Sequence, residues 1–179
     1  MQLQSVPGEP PEASDPRQFL LEQLGRRGIV LISGLLDDST VARVTAQALT
    51  TADDRLTVHL ANVSGPVRVA LALHDVLASL EQRPSIVASG GLDTAGAIVL
   101  QSAAPGERTL TPTARIHLTK VREPEGFDQP IDVEAAAQEI EIVRRQVADA
   151  LGRAPAGEIL GAEEAVARGL ADRISLQMK

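Results

Sequence analysis

Pro84-Ser85-Ile86-Val87-Ala88-Ser89-Gly90-Gly91-Leu92-Asp93-Thr94-Ala95-Gly96-Ala97-Ile98-Val99-Leu100 is the stretch whose reading decides the fold. The short apolar run Ile86-Val87-Ala88 breaks at Ser89-Gly90-Gly91, and an apolar run of helical type starts near Ala95. Strand, tight glycine turn and helix in that order place Thr94 at a helix N-terminus. Unpaired backbone N–H groups and the positive dipole end favour an anion there. Two readings are open. Thr or Asp before a helix is an ordinary N-cap. The alternative is a nucleophile turn, in which a side chain at the head of the helix sits beside an oxyanion pocket. On this stretch alone the cap is the simpler reading.

Upstream, the same unit recurs twice. Gly28-Ile29-Val30-Leu31-Ile32 reads as a buried strand by its β-branched run, and Asp37 or Asp38 caps a helix with Val41, Val44, Ala48 and Leu49 on its apolar face. Leu56 to Leu60 alternates like a strand, with His59 opposite Val58 and therefore solvated or hydrogen-bonded. Asn62 to Pro66 is a turn, with Pro66 suited to the first position of a helix that buries Val69, Leu73, Val76, Leu77 and Leu80. His74 and Asp75 are adjacent in sequence and so are not expected to face each other. Three strand–helix units in succession imply an α/β fold with a parallel sheet and right-handed crossovers. Ligands gather where such strands end and helices begin, and Ser64-Gly65 and Gly90 to Thr94 are two such turns, expected side by side.

Further turns and elements flank these units. Phe19 to Leu24 is a short helix closed by Gly25, and helix follows the Thr94 turn to about Ala104. Arg108 to Leu110 and Ala114 to Thr119 are short strands. Glu123 to Pro130 is an exposed loop, and Asp132 to Leu151 is the longest helix. A last helix over Ala162 to Arg168 is stopped by Gly169 before a strand at Asp172 to Ser175. Residues 1–16, with Pro7, Pro10, Pro11 and Pro16, have the composition of a disordered tail, leaving 17–179 as one domain.

Composition narrows the function. With 44% hydrophobic and 23% charged residues in a chain of 179, a soluble domain with its own core is expected. A net charge of −7 argues against nucleic-acid binding, and no apolar run reaches the length of a membrane span, so a cytoplasmic protein is expected. There is no cysteine, and His59, His74 and His117 lack ligand spacing, so neither metal nor cofactor is expected. Phe19 and Phe127 are the only aromatics, which leaves the core to Ala, Val, Leu and Ile.

The order of parts resembles the proteolytic subunit of the ATP-dependent Clp protease, a serine peptidase family of the ClpP–crotonase fold, over roughly Gln18 to Ile174. Arg27 to Gly34 with Leu36-Asp37-Asp38 is similar to the family's first strand and helix start, and Leu71-Ala72-Leu73-His74-Asp75 to its second helix. Gly90 to Ala97 is similar to the family's Gly-x-x-Ala-Ser-x-Gly-Ala turn, and Arg115-Ile116 to the Arg before the catalytic His. Ala162-Glu163-Glu164-Ala165 with Arg168-Gly169-Leu170-Ala171-Asp172 resembles the C-terminal signature.

The resemblance implies strand–helix repeats with a long protruding handle helix, Asp132 to Leu151, by which two rings interlock. It implies a Ser-His-Asp triad, yet Thr94 stands at the nucleophile position and Thr119 at the His position. The third member is not found: Gly152 to Gly161 holds no Asp, only Glu158. Gly65 and Ala95 are the backbone N–H donors that the family pattern implies for an oxyanion. A neutral hydroxyl needs a neighbouring base to act as a nucleophile, and Thr119 has none to offer. His117 faces the Thr119 side but lies roughly 7 Å further along the strand, so it is expected to be a bystander.

The resulting expectation is a Clp-like subunit, inactive or strongly impaired, with a structural or regulatory role. It would form a ring with itself or with active Clp-like paralogues. Alternatives are an active endopeptidase with Thr94 as nucleophile, acting on peptide or protein, and an acyl-thioester-binding protein of crotonase type. An AAA+ unfoldase is the further partner the resemblance implies, and the absent Tyr side chains argue against it.

Overall fold

The computed structural model describes residues 16–50, 56–119, 133–152 and 157–176. Of the proline-rich tail expected over residues 1–16, residues 1–15 lie outside the described residues, as does the loop expected over 123–130, whereas Pro16 opens the first helix. The elements in order are α1 (Pro16–Gly25), β1 (Ile29–Leu35), α2 (Asp38–Thr50), β2 (Thr57–Ser64), α3 (Val67–Ala78), β3 (Ser85–Leu92) and α4 (Thr94–Gln101). They continue with β4 (Arg108–Leu110), β5 (Arg115–Leu118), α5 (Val133–Leu151), β6 (Glu158–Gly161), α6 (Ala162–Ala167) and β7 (Arg173–Ile174).

The three strand–helix units build the expected parallel sheet. Its order is β1-β2-β3-β4-β7, all parallel, and β5 pairs parallel with the far end of β3. β6, a strand the sequence pattern does not announce, runs antiparallel to β5, with Leu118 opposite Glu158. Alternation sends Val30, Ile32, Val58, Leu60, Ile86 and Ala88 into the core. Each of the Val, Leu and Ile side chains contributes about 1.5–3 kcal/mol by leaving water. Among the described residues the buried apolar set holds only Ala, Val, Leu and Ile, so aliphatic packing replaces the missing aromatics.

α4 is the pivot. Every residue from Thr94 to Leu100 is buried, as befits a helix that is apolar on all sides. It touches β2, β3 and β5 of the sheet and the helices α3 and α5. The long helix starts at Val133 in the described residues. Val147, Ala150 and Leu151 near its C-terminal end pack against the core, while residues such as Ile142 remain exposed.

Several local expectations change. β2 and β3 do not stop where turns were read: β2 runs through Asn62 to Ser64 and β3 through the Gly90-Gly91 pair. Their ladder shifts register between Ala61 and Val63, Asn62 takes a positive φ of 51°, and its Oδ1 accepts from Gly91 N–H at 3.0 Å. A bulge therefore absorbs the irregular residues without ending the strands. Pro66 is the N-cap of α3 rather than its first residue, and α4 ends at Gln101 rather than Ala104. Leu49 is 75% exposed, because it sits a third of a turn off the stripe that Val44 and Ala48 define. His74 Nδ1 and Asp75 Oδ1 do meet, at 3.2 Å, since exposed side chains bend together along the helix surface. His59 is half-buried between Leu31 and Val87 rather than solvated, and burial pushes its imidazole below the usual histidine range.

The C-terminal elements are tied to the sheet by charge. The Arg108 guanidinium grips Asp172 from Nε at 3.0 Å and Nη2 at 2.6 Å, and its Nη1 donates to Gln101 of α4 and to the Gly169 carbonyl. Arg108 holds the Asp172 carboxyl below the usual carboxylate range. At the other end of the molecule Asp37 caps α2 through Thr40 N–H at 2.8 Å, and hydrogen bonds from Thr40 and Ser39 lower its pKa.

Candidate functional site

Both strand-to-helix turns sit at the carboxyl ends of β2 and β3, and they touch. Asp93, between β3 and α4, is the N-cap of α4, and its Oδ1 accepts from Gly96 N–H at 3.0 Å. Thr94 is therefore the first helical residue and not the cap. Asp93 also spans to the first turn: its Oδ2 accepts from Gly65 N–H at 2.9 Å. Its backbone N–H donates to the Val63 carbonyl at 3.1 Å, and its own carbonyl accepts from Ala97 N–H.

Glycine is required where the turns meet. Gly65 has a φ of +155°, and a Cβ there would lie 2.9 Å from Leu36 Cβ and 3.1 Å from Leu36 N. A Cβ on Gly96 would lie 3.0 Å from the Val63 carbonyl oxygen, so this glycine lets α4 press against β2.

Thr94 and Thr119 are brought together from 25 residues apart. Thr94 Oγ1 donates to the Thr119 carbonyl at 3.1 Å and accepts from Thr119 N–H at 2.8 Å. The two hydroxyl oxygens are 3.1 Å apart. A hydroxyl has one proton and two lone pairs. With the Thr94 proton on the Thr119 carbonyl, the second lone pair of Thr94 accepts from the Thr119 hydroxyl. That uses the whole hydrogen-bonding capacity of Oγ1. Thr94 is also only 4% exposed.

The other expected residues fall around this pair. Ala95 lies in the first turn of α4 and is fully buried. His117 lies on β5 with an exposed side chain, opposite Ile159 of β6, and is not a partner of Thr94. Glu158 lies on β6, and its carboxylate receives Arg168 Nη1. Arg168 also binds Glu164, at 2.6 Å. Glu158 is thus engaged on the α6 side of the ribbon.

One member escapes sequence reasoning. The charge of Asp93 beside the turn is visible in the sequence, but its bond to Gly65, 28 residues away, depends on the two turns being neighbours.

A chemistry without an imidazole at its centre follows from this geometry. The Thr94 hydroxyl is satisfied by Thr119, and the Gly65 N–H on the neighbouring turn is bound to a carboxylate. The architecture that carries them is an α/β fold with a mostly parallel sheet, in which ligands gather where strands end and helices begin.

Comparison with known proteins defines the family. The sequence profile described as Clp protease matches residues 13–178, and the chain belongs to that family. It is 28% identical over 176 residues to the ATP-dependent Clp protease proteolytic subunit 4 of Streptomyces avermitilis, covering 89% of this chain and 76% of that one. It is 26% identical to proteolytic subunit 2 of Streptomyces coelicolor, over 89% of this chain and 79% of the relative. Proteolytic subunit 1 of Corynebacterium glutamicum is 26% identical, over 82% and 78%. Among the described residues, no helix is long and apolar enough to cross a membrane.

Proposed function

We propose that the chain is a catalytically inactive or strongly impaired Clp-like subunit that serves a ring assembly structurally or as a regulator. It would assemble with itself or with active Clp-like paralogues. The observation that carries this reading is the closed Thr94–Thr119 pair, in which both positions expected to exchange a proton with substrate hold hydroxyls bonded to each other. Triad loss typically removes several orders of magnitude in rate and leaves only oxyanion and binding effects. Here the Gly65 donor is bound to Asp93, which lowers that remaining oxyanion contribution as well.

The relatives are called proteolytic subunits of an ATP-dependent protease, which supports assembly as the retained role. None of the described side chains of α5 is fully buried, which supports use of that helix as a contact with another subunit. The acidic balance of the chain, −7, supports a protein partner rather than a nucleic acid.

Light scattering on the full chain, alone and mixed with an active paralogue, tests the proposal. A ring-sized species alone or in the mixture is expected, with no turnover by the chain on its own. A monomer under both conditions would refute the assembly role.

A further inference from the structure

We propose that Asp93 is a built-in plug at the junction of the two turns, occupying with its own carboxylate the Gly65 N–H that would otherwise receive a carbonyl oxygen or an anion. The proposal rests on the reading of Gly65 as an oxyanion-type donor. Its basis is that one carboxylate serves two turns. Oδ1 caps α4 at Gly96, and Oδ2 reaches Gly65 at 2.9 Å. An N-cap explains only the first contact.

The first turn has no substitute. The N-cap of α3 is Pro66, which makes no side-chain cap hydrogen bond. The plug is also held from behind. The Asp93 N–H is bound to Val63 and its carbonyl to Ala97 N–H, so the backbone that carries the carboxylate is fixed on both sides. An intramolecular group held this way needs little further ordering to stay bound, whereas an external anion pays for its own immobilisation. The contact therefore excludes small carboxylates and acyl oxygens from Gly65. It also welds the start of α3 to the start of α4.

Asp93→Ser separates the plug from a plain cap. Serine is a good N-cap, so Gly96 keeps an acceptor, but its single short hydroxyl cannot also serve Gly65. The experiment measures amide exchange at Gly65 and Gly96 by NMR in the full chain. Thermal unfolding is then followed in sodium formate against sodium chloride at equal ionic strength.

In the native chain, Gly65 N–H is expected to be protected and the unfolding midpoint to ignore formate. In Asp93→Ser, Gly65 exchange should rise by about tenfold or more while Gly96 changes by less than about threefold. Formate should then raise the midpoint saturably and slow Gly65 exchange again.

An unprotected Gly65 in the native chain overturns the proposal with no variant needed. So does an Asp93→Ser chain in which Gly65 stays protected, or in which formate acts no more than on the native protein. Should Asp93→Ser not fold, Asp93→Asn replaces it, with the same readings. Peptide turnover by the native chain would defeat the impaired-subunit reading but leave Gly65 protection to be judged by itself.

Discussion

The turn after β2 and the turn after β3 are built from the same parts, a strand end, glycine and a helix start, yet they are held in opposite ways. The second is self-sufficient: Asp93 caps α4, and Thr94 is tied to Thr119. The first has a proline cap without a side-chain acceptor and a glycine pressed against Leu36, and it borrows its carboxylate from the second. The difference supports the proposal that the site region serves as architecture: Asp93 joins the two turns at Gly65, and the Thr94 hydroxyl is held by Thr119.

The largest way to break this contrast is at the glycines. Gly65→Ala places a methyl against Leu36 in a backbone region open almost only to glycine, and should cost about 3 kcal/mol or more. Gly91→Ala, in the strand that feeds the second turn, meets nothing within 4 Å and should cost less than about 1 kcal/mol. Urea midpoints of the two variants check the difference. Equal losses would remove the asymmetry.

A middle-sized effect is expected at the second turn. Thr94→Val keeps the shape but deletes the hydroxyl that both donates to and accepts from Thr119. A loss of about 1–2 kcal/mol is expected, moderated because Thr119 is exposed and water can serve its freed groups. Denaturant unfolding measures it.

The smallest effect is reached with acid. His59 lies on β2, the strand that feeds the first turn, and Val87 occupies the matching position on β3. Burial lowers the folded pKa of His59, so above the unfolded value of about 6.5 both states are neutral and stability is full. As pH falls below that value the unfolded chain takes up the proton first, and stability declines until the folded pKa is passed. His59→Gln should flatten this part of the stability–pH curve. An unchanged curve would show that His59 is not strained by burial.

Much of the fold was legible because its signals are local and repeated. The Ile86 run, the glycine pair and the apolar helix after Thr94 announce one strand–helix unit, and two more units before it make the parallel sheet. The Thr94 and Thr119 positions were legible through the order of motifs, and they do meet. β6 was not, because Glu158 to Gly161 is four residues long and becomes a strand only by pairing with β5. Neither was the grip of Arg108 on Asp172, 64 residues apart, or that of Asp93 on Gly65. Such contacts belong to the packed arrangement of the chain, and periodicity carries no trace of them. Leu49 shows the converse: an apolar residue near a stripe is not thereby inside it.

The central claim, that the hydroxyl at the helix head is bound up rather than poised to attack, is tested most directly with a hydroxyl-directed fluorophosphonate probe followed by mass mapping of the full chain. No adduct at Thr94 is expected, even at long exposure. An adduct on Thr94 that disappears in Thr94→Ala would contradict the account.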